Sequence, residues 1–290
     1  MKIKSKIENR KPARSAFGPA DAGGSKIAFI GAGNMAEAMV RGILKTGLYR
    51  PGNIFVTDID VRRLDFFQRE LGIKGSTDNK EAASTAGAIV LAVKPQQAPQ
   101  ALEELRGHLA PHPLLISIVT GFSTGKIAAA IGQPARIIRV VPNTPALVGS
   151  GASAYCCRKG TTGKDERLAK KILESIGIAI RLDESLMNAA TALSGSGPAY
   201  VFYLVEALLK AGQEAGLAEA VARRLITATI AGSARLLSET GMPPAELRQR
   251  VTSRGGTTEA AVKIMEKGKT RQIIIAAVKA AHKRARELSA

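Results

Sequence analysis

The chain has 290 residues, enough for two domains of about 100–200 residues each. Its 45% hydrophobic content is ample for a core, and 4% aromatic content with no Trp excludes an aromatic stacking platform for single-stranded nucleic acid. No uncharged apolar run reaches the ~18 residues of a membrane span, and two adjacent cysteines exclude a disulfide framework and suit a reducing compartment.

The formal net charge of +18 lies mostly toward the two ends of the chain. Residues 1–26 carry +5 and residues 263–290 carry +6, while the other 7 charges are spread over the middle. A solvated tail and a solvated last helix account for this distribution, so we predict no nucleic-acid partner. A nucleic-acid-binding protein that uses its basic ends is the alternative. The three histidines form no metal constellation, so no metal site is predicted.

Residues 1–25 mix basic residues with Pro, Gly, Ala and Ser and show no sustained periodicity. We interpret them as a disordered basic tail. The segment has no apolar core for a secretory signal, and Glu8 and Asp21 argue against an organellar transit peptide. A cytoplasmic location is therefore expected.

Residues 26–182 alternate strand-like and helix-like segments, which predicts an α/β domain with a mainly parallel, doubly wound sheet. The predicted strands are 26–30, 53–57, 88–93, 113–119, 135–141, 152–157 and 177–182. The predicted helices are 36–46, 60–71, 79–86, 96–109, 124–131 and 164–175. Ligands of such sheets bind beyond the carboxyl ends of the strands, so the residues after each strand are the candidates for a site.

A glycine turn follows the first strand and opens the first helix. Gly31 allows the tight turn, and Gly33 lets a pyrophosphate approach the backbone at the helix N-terminus. Ala36 stands at the third glycine position, an allowed variant where helix packs on strand. This order of strand, glycine turn and helix predicts a dinucleotide site; an ordinary tight turn is the alternative.

Two opposing signals follow the second strand. Asp58 lies where an acid normally holds the ribose hydroxyls of NAD. Arg62 and Arg63 come within one helical turn and are suited to the 2′-phosphate of NADP. The cofactor is therefore predicted as NAD(H) or NADP(H) without a choice between them. After the third predicted strand, Lys94 and Pro95 end the run abruptly.

Residues 183–290 lose the strand signal and predict an all-α domain. The segment 194–198 is interpreted as a loop that leads into a helix, with Pro198 in its first turn. Residues 199–209 are apolar nearly all round, which predicts burial between elements or subunits. Further helices are expected at 218–239, 245–251, 257–267 and 270–288.

A second glycine turn, 251–258, also opens onto a helix N-terminus. Free amides at Gly256, Thr257 and Thr258 are suited to a carboxylate. Capping of the helix by Thr257 or Thr258 is the alternative explanation of the same residue types.

Five stretches together resemble pyrroline-5-carboxylate reductase. They are FIGAGNMA (29–36), AVKPQ (92–96), VPNTP (141–145), ALSGSGPAY (192–200) and VTSRGGTT (251–258), in that family's order and spacing, so that the resemblance covers about residues 26–288. It implies a Rossmann-type domain at 26–182, a helical dimerisation domain at 183–290, and reduction of 1-pyrroline-5-carboxylate to L-proline, the last step of proline biosynthesis. It also implies a homodimer or larger homo-oligomer in which the partner subunit completes the substrate pocket.

The resemblance also implies roles for individual residues. Those that would line the cofactor are Ile30, Gly31, Ala32, Gly33, Asn34, Met35, Asp58, Asn79, Ala92, Lys94 and Pro95. Those that would hold the substrate are Ser253, Gly256, Thr257 and Thr258, with Thr258 as the hydrogen-bond partner of the ring nitrogen and the one catalytic candidate. Two residues depart from common family patterns: Arg254 stands where Pro is frequent, and Asp58 where some NADPH-preferring members have a small hydroxyl residue.

Two further alternatives remain beside this interpretation. A related cyclic imine acid, such as a six-membered ring, would fit a glycine-turn carboxylate site equally well. A non-catalytic regulatory protein that binds the cofactor is disfavoured by the intact Ser253 and Thr258.

Overall fold

The computed structural model describes residues 26–289. The predicted tail, 1–25, lies outside the described residues. The chain separates into two compact units, one that ends at Met187 and includes the chain from Leu288 onward, and one that comprises Asn188–Glu287. The predicted domain boundary after residue 182 falls a few residues before this division.

A single sheet forms the centre of the first unit, in the order β3-β2-β1-β4-β5-β6-β7-β8. Neighbouring strands are parallel except β6 and β7, which are antiparallel. The strands are β1 Ile27–Ile30, β2 Ile54–Thr57, β3 Lys74–Ser76, β4 Ala88–Leu91, β5 Leu114–Ser117, β6 Arg136–Val141, β7 Gly151–Cys157 and β8 Gly177–Arg181.

Helices cover both faces of this sheet. They are α1 Asn34–Lys45, α2 Val61–Leu71, α3 Asn79–Thr85, α4 Ala98–Leu105, α5 Thr124–Ile131 and α6 Gly163–Glu174. Short 3₁₀ turns lie at Pro51–Asn53, Pro95–Gln97, Thr144–Val148 and Glu184–Leu186. The predicted Rossmann-type architecture of this region is confirmed.

Burial of both sheet faces explains why interior strands such as β1 and β4 are continuous apolar runs. All four residues of β1 are fully buried. Ile27 and Phe29 pack into one hydrophobic core, and Ala28 and Ile30 into a second core on the other face, because side chains alternate along a strand. β1 is therefore an interior strand, buried between the two helix layers.

The chain changes direction across the sheet on either side of β1. From β1 it runs outward through β2 to β3, and then crosses back so that β4 pairs with the opposite edge of β1. Loops that leave neighbouring strands in opposite directions open a crevice at the carboxyl ends of β1 and β4, which is where ligands of such sheets bind.

Two local predictions for this unit were wrong. β3 was not predicted, because its three residues include Gly75 and show no apolar alternation. The predicted helix 96–109 is instead a 3₁₀ turn followed by α4, and the chain leaves helical geometry before Gly107, whose φ of +73° favours glycine.

The second unit is helical throughout its described residues, as predicted. Its helices are α7 Met187–Ala190, α8 Gly197–Glu214, α9 Glu219–Thr240, α10 Pro244–Arg250, α11 Thr257–Lys267 and α12 Thr270–Ser289, of which α7 and α12 also reach into the first unit. The predicted loop 194–198 is instead the end of a π turn, Thr191–Gly195, followed by the N-cap Ser196 and the start of α8, while Pro198 lies in the first turn of that helix as predicted. The amide of Ser196 donates to the carbonyl oxygen of Thr191 at 2.9 Å, and the Tyr200 hydroxyl donates to that of Ala192 at 2.9 Å.

The second unit buries little of its apolar surface within itself. Among the described residues of 188–287, the buried hydrophobic side chains are those of Ala192, Ala222 and Ala285. Phe202 and Tyr203 on α8 are 59% and 76% exposed. The stretch Glu184–Glu214 is also long and apolar enough to cross a membrane, by length and composition alone. One 18-residue segment of it has a mean hydropathy of 1.2, and 6% of that segment is buried. An exposed apolar helix of this kind marks a surface that contacts another molecule.

Candidate functional site

The glycine turn after β1 is wedged between two other strands. The Gly31 amide donates to the carbonyl oxygen of Thr57 on β2 at 2.8 Å. Gly31 has φ +99°, and a Cβ built there would lie 2.7 Å from the carbonyl oxygen of Ala92 beyond β4. Only glycine fits this position, because any side chain would meet backbone in a conformation that L-residues rarely adopt.

Gly33 serves a different purpose in the same turn. It is the N-cap of α1, with extended backbone, and a Cβ built on it would meet nothing within 4 Å. The first amides of α1, from Asn34 and Met35, have no partner within the helix, as at every helix N-terminus. Open space beside free amides at the positive end of a helix dipole is suited to a pyrophosphate.

A cavity of about 430 Å³ lies at the crevice beyond β1 and β4. Of the residues predicted to line the cofactor, it brings together Gly31, Gly33, Asp58, Asn79, Ala92 and Lys94. The remaining five are outside the lining: Ile30 and Ala32 are fully buried, Asn34 and Met35 begin α1, and Pro95 begins the 3₁₀ turn before α4.

Asp58 connects the two strand ends at the cavity. Its Oδ2 accepts from the amide of Ala32 at 2.7 Å, and its Oδ1 accepts from the amide of Asp60 at 2.9 Å. The carboxylate thus ties the loop after β2 to the glycine turn while it faces the cavity.

A chain of hydrogen bonds fixes the amide of Asn79. Its Oδ1 accepts from the hydroxyl of Thr57 at 2.5 Å, and its Nδ2 donates to Glu104 Oε2 at 2.6 Å. The other oxygen of Glu104 accepts from Gln100 Nε2 at 2.9 Å. All four residues line the cavity, and the sequence identified Asn79 alone among them. Gln100 and Glu104 stand four residues apart, so the sequence spacing alone could have predicted that these two side chains share one helix face.

The two arginines after Asp58 are both engaged within the protein. Arg63 Nε donates to the carbonyl oxygen of Ala32 at 2.8 Å, and its Nη2 donates to Glu37 at 2.9 Å. Burial alone would raise the pKa of Glu37, but the hydrogen bonds from Arg63 and Arg41 lower it overall. Arg62 hydrogen-bonds Asp60 at the protein surface, and that bond lowers the pKa of Asp60.

The second glycine turn begins α11 in the second unit. Gly255 has φ +71°, and its amide donates to Glu259 Oε2 at 2.8 Å, which lowers the pKa of Glu259. The amide of Gly256 donates to the carbonyl oxygen of Ser253 at 3.0 Å, so the prediction of a free amide at Gly256 is wrong. Gly256 itself is the N-cap, so neither Thr257 nor Thr258 caps the helix, and both stand in its first turn. The predicted alternative of threonine capping is therefore wrong.

The two cysteines lie at the end of β7, and both are free thiols. Burial raises the pKa of Cys156 to about 12 and also raises the pKa of Cys157. Neither thiol has the lowered pKa of a reactive cysteine. Among residues 26–289, no three His, Cys, Asp or Glu side chains lie together as a metal site would require.

The sheet, the glycine turn and the cavity define a Rossmann-type dinucleotide-binding protein. Residues 26–121 match a family model described as NADP oxidoreductase coenzyme F420-dependent, and residues 184–288 match one described as pyrroline-5-carboxylate reductase dimerisation. A pyrroline-5-carboxylate reductase from Synechocystis is 41% identical over 91% of this chain and 98% of its own, and one from Arabidopsis thaliana is 38% identical over 93% and 98%. The chain belongs to the pyrroline-5-carboxylate reductase family.

Solved structures of this family have the same fold. A pyrroline-5-carboxylate reductase from Coxiella burnetii superposes with a TM-score of 0.86 at 40% identity, over 92% of this chain and 99% of that one. The Plasmodium falciparum pyrroline carboxylate reductase, solved with NADP bound, superposes with a TM-score of 0.83 at 32% identity, over 92% and 98%. The helical region is thus a dimerisation domain, and a subunit partner accounts for its exposed apolar side chains.

Proposed function

We propose that this protein is a pyrroline-5-carboxylate reductase, which reduces 1-pyrroline-5-carboxylate to L-proline with NADH or NADPH. The observation that carries the proposal is the cavity at the carboxyl ends of β1 and β4, in a chain similar over nine-tenths of its length to reductases of that name. The free thiols and the relatives fit a soluble protein, and a cytoplasmic location is part of the proposal.

The residues of the first unit fit a nicotinamide dinucleotide. The open side of Gly33 and the first amides of α1, from Asn34 and Met35, would hold the pyrophosphate. Asp58 would accept from the adenosine ribose. Asn79 would lie along the cofactor with its amide already oriented by Thr57 and Glu104. Ile30 and Ala32 would act through the backbone of the turn, and Ala92, Lys94 and Pro95 through the loop beyond β4.

The residues of the second glycine turn fit a small carboxylate. The first-turn amides of α11, from Thr257 and Thr258, point away from the helix and carry its positive dipole. Gly256 contributes no side chain in front of them, and Ser253 closes the turn through its carbonyl oxygen. We assign the substrate carboxylate to these amides and the ring nitrogen to the hydroxyl of Thr258.

Reduction of the imine requires no covalent bond between the protein and the substrate. A nicotinamide cofactor, when bound, would supply the hydride for the imine carbon, so that the C=N bond becomes a single bond and the nitrogen takes up a proton. The residues named above would bind the two reactants, and the Thr258 hydroxyl would orient the nitrogen by a hydrogen bond. This requires neither a metal nor a nucleophilic side chain.

The direct test is oxidation of NADH and NADPH, measured in parallel with 1-pyrroline-5-carboxylate as acceptor, with proline identified as the product. The six-membered imine acid is assayed beside it at equal concentration. Turnover to proline with a higher kcat/KM for the five-membered ring is expected. Tight cofactor binding with no turnover would contradict the proposal in favour of a non-catalytic protein, and preference for the larger ring would reassign the substrate.

A further inference from the structure

The loop after β2 places two carboxylates at one edge of the cavity. Asp58 and Asp60 both belong to its lining. Asp58 receives one backbone amide on each oxygen, from Ala32 and from Asp60. An ionised carboxylate offers about four acceptor positions, so Asp58 keeps capacity for two ribose hydroxyls. The backbone bonds fix it in place before any ligand arrives.

Arg63 is held by partners within the protein, which take two of its five N–H donors. Its guanidinium donates to the carbonyl oxygen of Ala32 at 2.8 Å and to Glu37 at 2.9 Å. It also lies over the ring of Phe66, 4.8 Å from the ring centroid. These contacts hold the side chain, 28% exposed, against the glycine turn and engage the Nε–Nη2 edge of its guanidinium.

Arg62 is held by Asp60. Its Nε donates to Oδ1 of Asp60 at 3.0 Å and its Nη2 donates to Oδ2 at 2.9 Å, a bidentate pair. The same Oδ1 accepts from the Arg62 amide at 3.0 Å, since Asp60 is the N-cap of α2. The Arg62 side chain is 90% exposed and is not part of the cavity lining.

The charges that face the cavity therefore disfavour an added phosphate. Its lining carries the acids Asp58, Asp60 and Glu104 against the cations Arg63 and Lys94. A phosphate monoester such as the 2′-phosphate of NADPH carries a charge of about −1.5 to −2 at pH 7. The hydroxyl of NADH has no charge and can donate to Asp58.

We infer that Asp58 and Asp60 make this cavity select NADH over NADPH. Asp58 accepts hydrogen bonds from the ribose hydroxyls. Asp60 repels a 2′-phosphate and keeps the Arg62 guanidinium in an ion pair, so that it does not bind that phosphate. The inference rests on the proposed function, which assigns the cavity to a nicotinamide dinucleotide.

The test is direct binding of each cofactor to the full chain, followed by cofactor fluorescence in the absence of any imine. The wild-type Kd for NADH is expected to be at least about tenfold lower than that for NADPH, the size of one hydrogen bond to a charged group. Equal affinities, or tighter binding of NADPH, would overturn the inference. Because no imine is present, this result is independent of whether 1-pyrroline-5-carboxylate is the substrate.

The variant Asp60→Ser isolates the second acid. Serine is an equally good N-cap, so α2 keeps its cap while the charge is lost and Arg62 is released. The Kd for NADPH should fall about tenfold, with the Kd for NADH changed less than about twofold. The matched control is Asp78→Ser, the same substitution at the N-cap of α3 outside the cavity lining, which should change neither value.

The double variant Asp60→Ser/Arg62→Ala separates the two effects of Asp60. If released Arg62 binds the 2′-phosphate, the double variant loses part of the gain in NADPH affinity that Asp60→Ser alone produces. If Asp60→Ser leaves NADPH affinity unchanged, the assignment of selectivity to Asp60 fails. Asp58→Asn, which preserves size and removes charge, should weaken NADH binding about tenfold; unchanged binding would remove Asp58 from ribose recognition.

Discussion

Gly31 and Gly33 stand two residues apart and are required for opposite reasons. Gly31 is enclosed, since a Cβ would lie 2.7 Å from a backbone oxygen and φ is +99°. Gly33 is open, since a Cβ would meet no atom of the protein. The first glycine is therefore a requirement of folding, and the second a requirement of the ligand that we propose.

Alanine substitutions separate these two requirements. Gly31→Ala should lower the free energy of unfolding by more than about 2 kcal/mol, because left-handed strain adds to the backbone contact. Gly33→Ala should cost no more than about 1 kcal/mol, as alanine is only a poorer N-cap, yet should abolish tight cofactor binding. Urea unfolding and NADH titration of both variants provide the check. Equal effects of the two substitutions on stability would contradict this division.

Substitutions of Thr258 test the role that we assign to the second glycine turn. Thr258→Ala should lower kcat about tenfold to a hundredfold, as a hydrogen bond to a charged group contributes about 1.5–3 kcal/mol. The Kd for NADH should not change, because the hydroxyl is assigned to the substrate nitrogen. Thr258→Ser keeps the hydroxyl and should restore most of the activity. If the serine variant is as slow as the alanine variant, the methyl group and not the hydroxyl matters, and Thr258 leaves the mechanism.

At the scale of elements, three segments meet around the amide of Asn79. Thr57 ends β2, Asn79 begins α3, and Glu104 lies in the last turn of α4. Because Thr57 donates to its oxygen and Glu104 accepts from its nitrogen, the amide has one orientation in the cavity. Glu104 is thus a positioning residue that acts through Asn79.

Glu104→Gln disturbs this orientation without a change in size. Glutamine keeps one acceptor oxygen, so either Asn79 or Gln100 must face an NH₂ group instead. We expect the KM for the cofactor to rise about threefold to tenfold while kcat changes little, since one hydrogen bond contributes about 0.5–1.5 kcal/mol. Glu103→Gln is the control, because Glu103 is exposed and outside the cavity lining. A fall in kcat at unchanged KM would show that Glu104 acts elsewhere.

The same elements show what the sequence could and could not predict. Apolar strands such as Ile27–Ile30 and the glycine turn are local patterns, and the structure confirms both. Glu104 meets Asn79 across 25 residues, a contact that depends on how α4 lies along the sheet and leaves no trace in spacing. The engagement of Arg63 by Glu37 is equally non-local, which is why the cofactor signals after β2 conflicted.

At the scale of the whole molecule, the two units differ in how they bury apolar surface. The first has a core on each face of its sheet. The second, across 188–287, buries three alanines among its hydrophobic side chains and exposes large ones on several helices. Exposed surface of this extent is a subunit interface in a soluble protein, and the match of 184–288 to a dimerisation domain agrees.

A charge placed on this surface should therefore break the assembly. Phe202→Arg puts a cation on α8 where the side chain is 59% exposed in the single chain and, in a dimer, would be covered. Sedimentation should show an oligomer for the wild type and a shift toward monomer for the variant, whose Tm should fall and depend more strongly on protein concentration. Gln213→Arg, on a polar position of the same helix, is the control and should remain assembled. Because the second unit has so little core of its own, dissociation should unfold its helices first, so that loss of helical signal precedes loss of cofactor binding. A monomeric wild type with a concentration-independent Tm would contradict the interface.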